Sequence, residues 1–67
     1  MSVYKVVELV GTSEDSWEDA AKQAVNMANK SLRDLRVAEI SKLDLRLDEG
    51  KIVEYRARVR VSFKYED

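Results

Sequence analysis

Cysteine, histidine and proline are all missing from this 67-residue chain, and glycine occurs only twice. Without cysteine or histidine there are no disulfides, no thiolate or imidazole chemistry and no zinc site built from sulfur and nitrogen. Any metal would have to be held by hard oxygen ligands. An excess of one charge is missing too. Twelve Lys and Arg face 13 Asp and Glu, a formal charge of −1, which names neither a polyanion nor a membrane surface as partner. No apolar run approaches the ~20 residues that span a bilayer, and the N-terminus does not show the basic-then-apolar layout of a signal peptide. The expectation is a soluble, cytoplasmic protein that binds neither nucleic acid nor membrane. The length allows one small domain, residues 1–67, with a single core. A lone domain of this size buries only about 60% of its unfolded surface. With no disulfide available, association of subunits is the expected remedy.

What is present falls into four segments. Val3 to Val10 are β-branched, aromatic or aliphatic except for Lys5 and Glu8. Val3, Val7 and Leu9 share one face of a strand, and Tyr4, Val6 and Val10 share the other. Apolar groups on both faces call for cover on both, more than one helix supplies. Gly11 is expected to end the strand. Ser16 followed by Asp19 has the form of a capping box, and Glu14, Asp15, Glu18 and Asp19 place negative charge at the positive end of a helix dipole. A helix is therefore expected from Ser16 to about residue 33. Its stripe of Trp17, Ala20, Ala21, Ala24, Ala28, Ser31, Leu32 and Leu35 is mostly small, so it can lie close to a sheet. Residues 37–48 read as a second strand, with Leu43, Leu45 and Leu47 alternating against Lys42, Asp44, Arg46 and Asp48. Ile40 has the wrong parity, which points to a bulge near Ser41. Asp48-Glu49-Gly50-Lys51 is a hairpin turn. Strict alternation then runs from Val53 to Tyr65, with Glu54, Arg56, Arg58, Arg60, Ser62 and Lys64 on the polar face.

Two hairpin registers keep the leucine face aligned. A three-residue loop ending at Gly50 suits turn chemistry but opposes Asp44 to Glu54 and Lys42 to Arg56. A shift by one residue on each strand opposes Arg46 to Glu54 and Asp44 to Arg56, and charge favours it. The last strand also exceeds its domain. Thirteen residues at ~3.3 Å extend roughly 43 Å, whereas a compact chain of this length has a radius of gyration near ~11 Å and a diameter of about 28 Å. Val59, Val61, Phe63 and Tyr65 are expected to overhang and to need a neighbouring subunit.

Candidate sites are few. No nucleophile has an imidazole base and no glycine-rich phosphate loop is present, which argues against an enzyme. Arg56, Arg58, Arg60 and Lys64 could face phosphates. Tyr55 and Phe63 lie on the opposite face, however, where they cannot stack bases beside those charges, so a solvated or salt-bridged face is the plainer reading. Glu39, Asp44, Asp48, Glu49 and Glu54 offer carboxylates to a cation such as calcium, but without EF-hand spacing; pairing with the arginines is the plainer reading again. Trp17 on the alanine stripe reads as a helix anchor rather than a platform for a planar ligand.

Three strings, V-Y-K-V-V-E-L-V-G-T-S (3–13), S-L-R-D-L-R-V-A-E-I (31–40) and Y-R-A-R-V-R-V-S-F-K (55–64), occur in an order and spacing that resembles the dodecins over residues 3–65. The resemblance implies an α+β subunit, β1-α-β2-β3, with an antiparallel three-stranded sheet wrapped on one helix and twelve copies forming a hollow homododecamer. It also implies a non-enzymatic storage or buffering role, with flavin (riboflavin, FMN or FAD) bound in pairs at subunit contacts. By the same resemblance, Val37 stands where such proteins carry a tryptophan that stacks on the flavin ring. Arg56 stands at a glutamine that bonds the ring edge, and Asp44 at an arginine that serves the phosphate in some members. Lys64 matches a basic position used near nucleotide phosphates. Valine supplies neither the stacking face nor its area, and arginine has donors but no acceptor. These departures bring the chain closer to a tryptophan-less branch, the calcium dodecins, for which a carboxylate-bound metal is the proposed ligand. A flavin-free, cation-binding shell and a purely structural assembly are the alternatives to flavin storage.

Overall fold

The computed structural model describes residues 2–65. The elements are β1 (Tyr4–Ser13), α1 (Trp17–Ser31), β2 (Leu35–Asp48) and β3 (Lys51–Lys64). They form one antiparallel sheet in the order β1-β3-β2, with α1 laid across one face. This is the α+β, β1-α-β2-β3 subunit expected from the sequence.

The helix begins as its capping residues dictate, with one change. Ser16 accepts a hydrogen bond from the Asp19 amide at 3.0 Å. The Asp19 carboxylate accepts from the Ser13 hydroxyl at 2.7 Å, and Ser13 Oγ itself accepts from the amides of Asp15 and Ser16. Ser13 thus completes the cap from outside the helix, tying the end of β1 to the start of α1. The helix ends at Ser31, two residues before the expected 33. Leu32 closes it with an N–H to the Ala28 carbonyl at 2.8 Å, and Asp34 then adopts a left-handed φ of 62°, turning the chain into β2.

Gly11 does not end β1. The strand continues to Ser13, with Gly11 opposite Ala57 and Ser13 opposite Tyr55. The role of the glycine is clearance, since a Cβ at this position would stand 1.9 Å from the Ala20 carbonyl oxygen. Ala20, Ala21, Ala24 and Ala28 face Ala57, Val59 and Val61 to form the core, and Val7, Leu9, Val25, Leu32 and Leu35 pack around it. Small residues on both sides bring the helix axis close to the sheet.

The hairpin takes the charge-matched register, with a two-residue turn in place of the three-residue loop. Asp48 pairs with Lys51 across Glu49 and Gly50, whose φ values of 51° and 78° make a tight two-residue turn of the kind favoured in hairpins. An irregularity at Val53 then shifts the pairing, so that Arg46 meets Glu54 and Asp44 meets Arg56. A second irregularity at Ser41 brings Ile40 onto the leucine face; there the Ser41 hydroxyl donates to the Arg58 carbonyl.

Of the four residues expected to overhang, Tyr65 is exposed and Phe63 half-buried, but the longer overhang lies at the other end of β3. Val59 and Val61 are fully buried beneath the helix. The helix rests on β1 and β3 and barely touches β2, while β1 stops opposite Tyr55. The β2–β3 hairpin beyond that point is an arm with no third strand and no helix on it. Its Leu47 and Ile52 are 59% and 56% exposed, and Leu45 and Leu43, which lead up to it opposite Tyr55 and Ala57, are exposed with them. The subunit is consequently elongated, 50 × 19 × 14 Å, with a radius of gyration of 13.7 Å. The second face of β1 is also uncovered, leaving Tyr4, Val6 and Val10 exposed.

Replacing Gly11 by alanine tests the close packing. The added methyl collides with backbone, which cannot swing aside, and overpacking of this kind costs about 1–3 kcal/mol. Thermal unfolding of Gly11→Ala should show a clearly lowered midpoint, while Thr12→Ala, its exposed neighbour, should melt as the parent does.

Candidate functional site

The sheet face turned away from the helix carries most of the charge on the strands. Strand alternation places Glu54, Arg56, Arg58, Arg60, Ser62 and Lys64 of β3 in one row. Register sets Thr12, Val10, Glu8 and Val6 of β1 on one side of it, and Asp44, Lys42, Glu39 and Val37 of β2 on the other.

The basic row is neutralised by its neighbours. Arg56 grips Asp44 through two hydrogen bonds, Nε–Oδ1 at 2.6 Å and Nη2–Oδ2 at 3.1 Å. Arg46 meets Glu54 at 2.6 Å. Glu8 lies between Arg58 and Arg60, at 3.6 and 3.8 Å. At the helix-to-strand corner Arg36 holds Asp34 at 3.0 Å. The salt-bridged reading of this face therefore holds. The bidentate hydrogen bond from Arg56 is the main cause that keeps the Asp44 carboxyl below its ordinary value of 3.8, and Arg36 acts likewise on Asp34. Both pairs stand in open solvent, where an ion pair contributes little to stability.

Two positions on this face differ in kind. One is the Asp44–Arg56 pair at the root of the arm. The other is a shallow hollow of about 470 Å³ lined by Val6, Val37, Glu39, Arg60 and Ser62. Val37 is 61% exposed there, and the Ser62 hydroxyl donates to its carbonyl at 3.4 Å. Lys64 follows two residues beyond Ser62. All four residues singled out from the sequence, Val37, Asp44, Arg56 and Lys64, thus share one face. The fold brings Asp44 to Arg56 and Val37 to the neighbourhood of Lys64. Six residues of β3 separate the two groups, about 20 Å at ~3.3 Å per residue, so one subunit does not gather them.

Neither implied ligand fits a single subunit. Val37 offers no ring face, and Arg56, which holds Asp44 through Nε and Nη2, has no acceptor for a ring N–H, so a flavin finds neither a stack nor the acceptor it needs at its edge. Among the described residues no three acidic side chains converge on a point that could hold a metal ion. Asp44 and Glu54 are instead occupied by arginines. The sequence did not disclose Glu8 as the partner of two arginines or Val6 as a wall of the hollow. Both depend on β1 pairing with β3 rather than with β2, and strand alternation carries no signal of sheet order.

The dodecin family model matches residues 3–66. The chain is 47% identical over 64 residues to the calcium dodecin of Mycobacterium tuberculosis, spanning 96% of this chain and 90% of that protein. It is 40% identical over 65 residues to the dodecin of Thermus thermophilus, spanning 97% and 94%. A crystal structure of an arginine-to-alanine variant of the T. thermophilus dodecin superposes with a TM-score of 0.90 at 39% identity over 100% of both chains. The crystal structure of the M. tuberculosis calcium dodecin, described as having a novel calcium-binding site, superposes with a TM-score of 0.85 at 48% identity over 97% and 93%.

The lowered Asp44 pKa sets the direction of a pH effect. A carboxyl whose pKa is depressed by folding adds stability above its unfolded pKa and loses that contribution as pH falls through the folded one. The Asp44–Arg56 contribution should therefore persist at pH 5 and disappear only below about pH 4. Carboxyl NMR titration should place the Asp44 midpoint below 3.8 and return it towards that value in Arg56→Gln.

Proposed function

The chain belongs to the dodecin family, and on that premise we propose that it is a non-catalytic small-ligand-binding and storage protein that works as a hollow homododecamer. The uncovered apolar surface of the subunit carries this reading. Leu43, Leu45, Leu47 and Ile52 along the arm and its root, and Val6, Val10 and Val37 on the opposite, charged face, are exposed in one chain. Exposed apolar surface of this kind marks an interaction site, and among the described residues no other strand pairs with the arm beyond Tyr55. Twelve small subunits that bury such surface against one another also answer the stability problem of a short chain without disulfides.

The ligand we propose is a hard cation such as calcium rather than a stacked flavin. Val37 and the Asp44–Arg56 pair remove the two features a flavin sandwich needs. The relative at 47% identity is a calcium dodecin. Because one subunit does not collect three carboxylates among its described residues, the oxygen ligands would come from different subunits. Flavin storage is the second reading, supported by the resemblance and by the open hollow beside Val37, and a shell without a specific ligand is the outcome if neither binds.

Native mass spectrometry should report a particle near twelve times the 7.7 kDa subunit, and a monodisperse monomer at micromolar concentration would overturn the assembly. Calorimetry should detect calcium, while riboflavin fluorescence should be left almost unquenched; the reverse pair of results would favour flavin. Val37→Trp combined with Arg56→Gln should create riboflavin binding, and each change alone should recover less, since the ring needs a face to stack on and a partner at its edge.

A further inference from the structure

The arm poses a geometric problem. A two-stranded ribbon is only marginally stable alone and twists strongly, so its direction must be set where it leaves the sheet. That root is gripped from both faces. On the helix side, Trp17 Nε1 donates to the Asp44 carbonyl at 3.1 Å, and the indole meets the Tyr55 ring edge-on, with centroids 5.2 Å apart and planes at 77°. On the other side, the Asp44 carboxylate takes both hydrogen bonds of Arg56. Asp44 is thereby held through its backbone by the helix and through its side chain by β3. Trp17 is itself the first residue of α1, fixed by the Ser16 cap and by the link from Ser13 to Asp19. The contacts converge on the level where β1 ends, opposite Tyr55, beyond which the arm has no other support.

We propose that Trp17 is a positioning residue for assembly: together with Tyr55 and the Asp44–Arg56 pair it clamps the root of the arm and sets the angle at which the leucine face is presented to a second copy of this chain. This rests on the self-assembling reading above. The clamp explains why the one tryptophan of the chain stands at the helix start rather than deeper in the alanine stripe. An indole is too wide for the close helix–sheet approach at Gly11, whereas Trp17 reaches Asp44 of the edge strand level with the last residues of β1, Thr12 and Ser13.

Trp17→Phe keeps an aromatic edge against Tyr55 and removes the N–H donor; Arg56→Ala removes the grip from the other face. Wild type, both single variants and the double variant are compared by light scattering across a dilution series, with far-UV circular dichroism as the measure of subunit fold. Each single change should leave the spectrum intact; Trp17→Phe should raise the concentration of half-dissociation up to about tenfold, the scale of one good hydrogen bond, and Arg56→Ala by a smaller but measurable factor of about two to five, because its ion pair is exposed. The double variant should fall short of the product of the two, because both changes release the same root. A wild type that assembles while Trp17→Phe dissociates at the same concentration overturns the clamp alone. So does a Trp17→Phe chain that loses its spectrum, which would make the residue a fold determinant, or a fully multiplicative double variant. A wild type that stays monomeric overturns the assembly reading and the clamp together.

Discussion

The closeness of one helix to one sheet is the constraint from which the rest of the molecule follows. Gly11 has no Cβ because the Ala20 carbonyl occupies that space, and alanines fill the remaining interface. So small a set of core side chains removes little apolar area from water, and burial yields only about 25 cal/mol per Å². The core of the isolated subunit is thin. The helix is also narrow, and covering β1 and β3 leaves it touching β2 at little more than the Trp17 contact.

That geometry converts a packing solution into a demand for partners. The longest strands of the sheet run past both the helix and β1, and they carry their leucines with them. A soluble monomer would place charges on such an arm, particularly along an exposed edge strand. Here the charges sit on the face away from the helix and the leucines on the other. The arm is therefore amphipathic, with an apolar face that the described residues of its own chain leave exposed, which is the surface the proposed assembly would cover.

The charged face tells a complementary story. Its arginines are paired in sequence-distant couples, Asp44 with Arg56 and Glu8 with Arg58 and Arg60. Exposed pairs of this kind add little stability, but like charges placed opposite one another in a sheet are repulsive, so they exclude wrong registers. The same pairing engages the Asp44 carboxylate through Nε and Nη2 of Arg56, while the hollow at Val37 lies some distance along the strand.

Much of this was legible from residue order. The alternation in β3, the Ser16 cap, the small-residue stripe, the bulge beside Ile40 and the charge-matched register are local or pairwise properties, and a strand or a helix turn expresses them whatever surrounds it. The string resemblance added the family. Other features belonged to the tertiary structure. Gly11 reads as a strand terminator until the helix is seen to cross above it. Val59 and Val61 read as overhang until the helix is found on them, because alternation says which residues share a face but not how far along the strand the cover extends. The three-residue loop that turn chemistry favoured gave way to a two-residue turn, and the irregularity at Val53 that restores the charge-matched register is not encoded in the alternation. The partners of Glu8, the separation of Val37 from Arg56 and the grip of Trp17 on Asp44 all follow from sheet order and helix placement, which arise from long-range packing that no local pattern encodes.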